Sequence, residues 1–188
     1  MDMVNLKING QDVSAPKGST ILEAARLAGI DIPTLCFLKD ISETGSCRMC
    51  VVEIVGARAL QAACVYPVAE GIEVLTHSPA VKKARKNTLE LILSNHDRKC
   101  LTCVRNQKCE LQTLCHELGV EDEGKYDGDR KVYAIDKSAA HMVRDNNKCI
   151  LCRRCVAVCK EQYVSVIGAN DRGFDTQIGS AFGAALAD

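Results

Sequence analysis

Eleven of the twelve cysteines in this 188-residue chain fall into three successive groups, and that grouping limits the fold more than any other feature. The groups are Cys36, Cys47, Cys50 and Cys64; then Cys100, Cys103 and Cys109, with His96 just ahead of them; then Cys149, Cys152, Cys155 and Cys159. Disulfide scaffolds spread their cysteines along the chain as staples, whereas metal sites bunch them on short loops. The bunching favours metal. A chain of this length can form one ordinary domain, but it can also form two or three small modules stitched together by cofactors.

The first group has the spacing C-x10-C-x2-C-x13-C, and its middle pair lies on a loop bearing Gly45 and Ser46. Plant-type [2Fe–2S] ferredoxins also use clustered cysteines plus a distant one, because the loop must wrap the sulfides and offer them backbone N–H groups. The match is to that order of ligands, since both long gaps differ from the plant-type signature. Zinc also accepts four thiolates, but zinc ribbons usually supply two C-x2-C knuckles and this segment has one. The second group, H-x3-C-x2-C-x5-C, offers one imidazole and three thiolates, a set that suits either zinc or a [4Fe–4S] cluster with histidine ligation. A histidine alone would read as a surface or capping residue; His96 gains weight from the three cysteines that follow it. Cys115 stands outside the sets and reads as a surplus buried thiol. The third group, C-x2-C-x2-C-x3-C, is a strong [4Fe–4S] signal, in which three cysteines grip one cluster and the fourth ligates another. No second such motif follows before Asp188, so the segment reads as half of a two-cluster ferredoxin. Cys149, Cys152 and Cys155 then lack a fourth ligand, and Cys159 lacks its partner cluster.

Between these groups the chain carries local folding signals. Val4, Leu6 and Ile8 alternate with polar residues, Asn9-Gly10 is a two-residue turn and Val13 begins the return, which together predict a β-hairpin. Thr20 and Glu23 have capping-box spacing ahead of a short helix over 24–28, and Gly29 supplies the left-handed stop. Strands are expected at 50–55 and 72–76. Ser78-Pro79 marks a helix start. On that helix Val81, Ala84, Thr88 and Ile92 recur at helical spacing, and the basic run Lys82, Lys83, Arg85 and Lys86 reads as a solvated face. The acidic stretch 121–130 reads as a surface loop, and a third module is expected to start near Tyr133.

The fold class expected is α+β. A β-grasp, [2Fe–2S] ferredoxin-like domain covers 1–78, a small helical domain with His96, Cys100, Cys103 and Cys109 as its candidate ligands covers 79–132, and half a ferredoxin-type domain covers 133–188. Twenty-four basic residues balance twenty-four acidic ones, so net charge gives no sign of nucleic acid or an anionic membrane as partner. No run approaches the length of a membrane span and no secretory signal is evident, so a reducing cytoplasm is the expected setting. No G-x-G-x-x-G follows a strand, so no dinucleotide site is expected here.

The segments Ile32-Pro33-Thr34-Leu35-Cys36 and Gly45-Ser46-Cys47-Arg48-Met49-Cys50, the His96 to Cys109 set, and Cys149-Ile150-Leu151-Cys152-Arg153-Arg154-Cys155 occur in an order that resembles two families. One is the N-terminal region of [FeFe]-hydrogenases; the other is the large hydrophilic iron–sulfur subunit of respiratory complex I. The resemblance covers essentially the whole chain. In addition, residues 171–176 look like the segment that leads into the second ferredoxin motif in such hydrogenases and in NAD-linked formate dehydrogenases. The resemblance implies one [2Fe–2S] cluster on Cys36, Cys47, Cys50 and Cys64, and [4Fe–4S] clusters on His96, Cys100, Cys103 and Cys109 and on Cys149, Cys152 and Cys155. A further [4Fe–4S], reached through Cys159, is implied if the chain continues. It also implies partner subunits that bind flavin and NAD(P), soluble ferredoxin in bifurcating members, and a role as the electron-transfer segment of a multisubunit NAD(P)-linked hydrogenase. No catalytic centre falls within these residues. The alternatives are the same segment of a formate dehydrogenase, a free-standing ferredoxin-like carrier, and a structural zinc protein.

Overall fold

The computed structural model describes residues 2–121, 125–126 and 131–185. The hairpin forms as expected: β1 (Met3–Ile8) pairs antiparallel with β2 (Gln11–Pro16), and the register Ile8 to Gln11 leaves Asn9 and Gly10 as its tip. Both tip residues have positive φ, 53° and 82°, as the mirror-image turn that follows strand twist requires. Helix α1 (Ile21–Leu27) is closed by the capping box: the Glu23 N–H donates to Thr20 Oγ1 at 3.3 Å, and the Thr20 N–H donates to the Glu23 carboxylate at 2.8 Å. Three further strands follow, β3 (Val51–Ile54), β4 (Gln61–Ala62) and β5 (Glu73–Leu75). Together they make a five-stranded sheet of order β2-β1-β5-β3-β4, in which only the β1–β5 pair is parallel. Ile8, Ile21, Leu22, Val52 and Val74 fill the core between sheet and α1. Side chains of this size contribute about 1.5–3 kcal/mol each on full burial. Cys50 and Cys64 belong to the same core.

Helix α2 (Pro79–Ser94) starts at Ser78, whose Oγ accepts the Val81 N–H at 3.3 Å, with Pro79 at its first position. Its buried face differs from the expectation. Val81, Arg85, Leu89 and Leu93 are buried, while Ala84, Thr88 and Ile92 are only half-buried. The helix is thus turned by one position, because it must cover both β3 and a second core. Of the basic run, Lys82 and Lys83 are solvated as expected, but Arg85 is buried and Lys86 bends to donate to the Gly119 carbonyl at 2.6 Å.

The second core is made by Leu35 and Met49 from the first cysteine loop, Leu89 and Leu93 from α2, and Leu111 and Leu114 from α3 (Glu110–Glu117). Beyond it the chain forms α4 (Arg154–Glu161) and a hairpin of β6 (Ile167–Asn170) and β7 (Gln177–Ser180). Among the described residues after Leu114, only Ile178, Gly179 and Ser180 are buried. Most of the expected loop at 121–130 lies outside the described residues. Among the described residues, no helix is long and apolar enough to cross a membrane.

Candidate metal centres

The first cysteine set closes around the end of the β-sheet. Cys36, Cys50 and Cys64 are each 1% exposed and Cys47 is half-buried. The Cys47 N–H donates to Cys36 Sγ at 3.4 Å, and Cys50 Sγ lies 3.3 Å from Cys64 Sγ. The loop reaches this geometry through left-handed backbone at Gly45 and Arg48, with φ 60° and 57°. The Cys47 thiol and then the amides of Cys47 and Ser46 outweigh burial to hold Cys36 down at about 4, and hydrogen bonding from Cys64 holds Cys50 at about 7. Their partners move the other way: Cys47 and Cys64 are pushed up, first by the neighbouring sulfur and then by burial. Each pair therefore gives up one proton readily and resists losing the second, because two adjacent buried thiolates repel. A group that brings positive charge between them removes that resistance, and this donor set suits iron.

The second set surrounds a cavity of about 240 Å³. His96, Cys100, Cys103 and Cys109 all line it, with Leu93 and Leu111 on its apolar side. The His96 N–H donates to the Leu93 carbonyl at 3.1 Å as α2 ends, and a single 3-10 turn, Cys100–Thr102, brings Cys103 back beneath Cys100. Cys109 is the N-cap of α3. Cys115 is half-buried, rather than buried as expected, and lines the same cavity. Its place follows from α3, six residues and so about one and two-thirds turns after Cys109. Among the described residues no three His, Cys, Asp or Glu side chains converge closely enough to ligate a single ion. The four ligand candidates face a common volume, which suits a group with a body of its own.

The third set rides on the turn into α4. Leu151 and Arg153 hold left-handed backbone at φ 54° and 59°, and the Leu151 N–H donates to Cys149 Sγ at 3.4 Å. Such conformations cost about 1–3 kcal/mol each outside glycine, and persist where something else fixes the loop. Cys155 and Cys159 then project from α4 four residues apart, on one face. Burial pushes the Cys149 thiol up, and the charges of Cys152 and Cys155 add to the rise.

The three sets are tied together. Cys47, Cys109 and Ile150 all border the second core. Cys47 and Cys149 line one open cleft of about 630 Å³, alongside Ile92 and Phe174. The Asp97 N–H donates to the Asn147 carbonyl at 2.7 Å, Lys148 pairs with Asp97 at 3.3 Å, and Arg154 pairs with Glu110 at 3.1 Å.

Residues 1–79 match the family model of a 2Fe-2S iron-sulfur cluster binding domain, and residues 85–123 match the NADH-ubiquinone oxidoreductase-G iron-sulfur binding region. These two stretches are similar to the N-terminal iron–sulfur region of NADH-G-like subunits. Iron–sulfur clusters are accordingly the cofactors of this NADH-G-like region. It is 42% identical, over its whole length, to 33% of the NADP-reducing hydrogenase subunit HndD of Solidesulfovibrio fructosivorans. Over 89% of its length it is 41% identical to 19% of the NADPH-Fe(3+) oxidoreductase subunit alpha of Geobacter sulfurreducens. Over 94% it is 38% identical to 26% of the NADH-ubiquinone oxidoreductase 75 kDa subunit of Reclinomonas americana. The NADH-G-like region thus spans a third or less of these relatives. Among solved structures, an NAD+-reducing [NiFe]-hydrogenase in the H2-reduced state superposes with a TM-score of 0.88 at 29% identity, covering 95% of this chain and 75% of that one.

Proposed function

We propose that the chain is the electron-transfer segment of an NAD(P)-linked oxidoreductase, carrying electrons between a flavin- and NAD(P)-binding partner and a terminal, hydrogen-activating centre. On this reading a β-grasp unit over 1–78 holds a [2Fe–2S] cluster through Cys36, Cys47, Cys50 and Cys64. A helical unit over 79–132 holds a [4Fe–4S] cluster through His96, Cys100, Cys103 and Cys109. A ferredoxin-type unit over 133–188 holds another through Cys149, Cys152 and Cys155, with Cys159 directed to a further one. When bound, such clusters supply one-electron carriers of graded potential. The residues of the chain place them, keep water from the sulfurs and tune them through hydrogen bonds and burial.

The observation that carries this reading is the second core. Leu35, Met49, Leu89, Leu93, Leu111 and Leu114 form one apolar body bordered by Cys47 of the first set and Cys109 of the second, with Ile150 of the third loop packed against it. Three independent metal modules would have no reason to share a core. A conductor gains from one, because the core fixes the separations between its centres. The hydrogenase names among the relatives favour hydrogen as the terminal substrate, and the cysteine-rich composition suits a reducing cytoplasm.

The test is rapid mixing of the oxidised full chain with less than one equivalent of dithionite, followed by freeze-quenched EPR. Electrons should redistribute from the first centre to the others at a rate independent of protein concentration. Redistribution that slows in proportion to dilution would mean separate centres exchanging only by collision, and would overturn the reading.

A further inference from the structure

Among the described residues Arg85 is the one buried cation, 6% exposed on the face of α2 that meets β3. Its Nη2 donates to the Val51 carbonyl at 2.8 Å, and Val51 follows Cys50 directly. Its Nε is fully buried with no acceptor among the described residues, and no carboxylate forms an ion pair with it there. The other buried charged side chain, Glu90, pairs with Lys125 at 2.7 Å instead. Burial works against the Arg85 charge, while the Cys50 thiolate and, behind it, the Asp31 carboxylate support it. A guanidinium does not escape by losing its proton. A buried charge without a partner is strongly unfavourable, and proteins tolerate one where an opposite charge stands close.

We infer that Arg85 is the counter-ion of the first iron–sulfur centre, a positioning residue whose fixed positive charge beside Cys50 raises the reduction potential of that centre. The inference rests on Cys36, Cys47, Cys50 and Cys64 being the ligands of that centre. Reduction brings in one electron from the reductant, adds one negative charge to a site already walled by thiolates, and makes or breaks no bond to Arg85. The guanidinium keeps its proton throughout. In a buried, low-dielectric setting a nearby cation stabilises the more negative state far more than it would in water. The hydrogen bond to the Val51 carbonyl holds the charge at a constant distance, so its effect is built into the fold.

The experiment is an EPR-monitored redox titration of the anaerobically purified full chain, comparing wild type with Arg85→Gln and Arg85→Lys and reading both the first and second centres. Arg85→Gln should lower the equilibrium constant for reducing the first centre about tenfold, which is about 59 mV for one electron. Arg85→Lys, which keeps the charge, should stay within about threefold of wild type, and the second centre should hold its potential in both variants. An Arg85→Gln potential indistinguishable from wild type, or an equal fall at both centres, would overturn the inference. If Arg85→Gln assembles no first centre, Arg85→Lys decides. A loaded centre near the wild-type potential supports the counter-ion, and an empty or strongly shifted one overturns it by making Arg85 an assembly residue. Wild-type protein without any first-centre signal would instead remove the ligand assignment beneath it.

Discussion

At Gly45 the loop that carries Cys47 passes so close to Val65 that an added methyl would lie 3.2 and 3.3 Å from its two methyl groups, on backbone at φ +60°. Both the contact and the conformation penalise a side chain. Gly45→Ala should destabilise the loaded chain by about 1–3 kcal/mol, read as a lower Tm together with reduced iron at the first centre; an unchanged Tm would contradict the close approach. The Thr20 cap makes a milder prediction. Thr20→Ala removes one half of a reciprocal pair and should lose about 1 kcal/mol in urea denaturation, without altering the cluster spectrum. The residue scale is also where the sequence misled most. Arg85 sits in a run of four basic residues out of five, Lys82 to Lys86, and nothing in that run marks one of them as buried. Burial is decided by which face of α2 meets β3, a tertiary fact. Its aliphatic stem lets the side chain lie along an apolar surface and still reach the Val51 carbonyl.

The elements that could be read in advance were those with local signals. The β1–β2 hairpin, the α1 capping box, the Gly29 stop and the Ser78-Pro79 start of α2 each depend on residues within a few positions of one another. Strand β4 is two residues long and carries no such signal. Helix α3 did carry one: Leu111, Leu114 and Leu118 recur at helical spacing, and Gly119 follows at φ 59° as a stop. Since α3 and α2 meet through Leu111, Leu114, Leu89 and Leu93, the element-scale prediction is that Leu89→Ala costs about 2–5 kcal/mol. It should also weaken the second centre, because His96 and Cys109 lie at the adjoining ends of those helices. Chemical denaturation and the EPR intensity of that centre would check both parts; loss of stability with full signal would separate the core from the site.

On the scale of the whole molecule, burial is unevenly shared. The sheet and α1 enclose a large apolar core, whereas the described residues after Leu114 bury only Ile178, Gly179 and Ser180. Holding Leu151 and Arg153 in left-handed backbone with so little packing calls for metal as the organising element. Chelation of iron should therefore expose the 149–170 region to protease before the β1–β2 hairpin and α1, as limited proteolysis with mass spectrometry would show. The proposed ligand positions could be picked out in the sequence because cysteine spacing is local, while the shared core that lies between them could not, since Leu35, Met49, Leu89 and Leu111 come together only in the fold.

The most direct test of the central claim is iron and zinc content, measured with low-temperature EPR on anaerobically purified, dithionite-reduced chain, in wild type, Cys50→Ala and His96→Ala. The account predicts about six irons per chain from the first two sets, rising to about ten with the third filled. It also predicts separable [2Fe–2S] and [4Fe–4S] signals, the first lost in Cys50→Ala and the second lost or altered in His96→Ala. Stoichiometric zinc with no signal in the reduced state would contradict it.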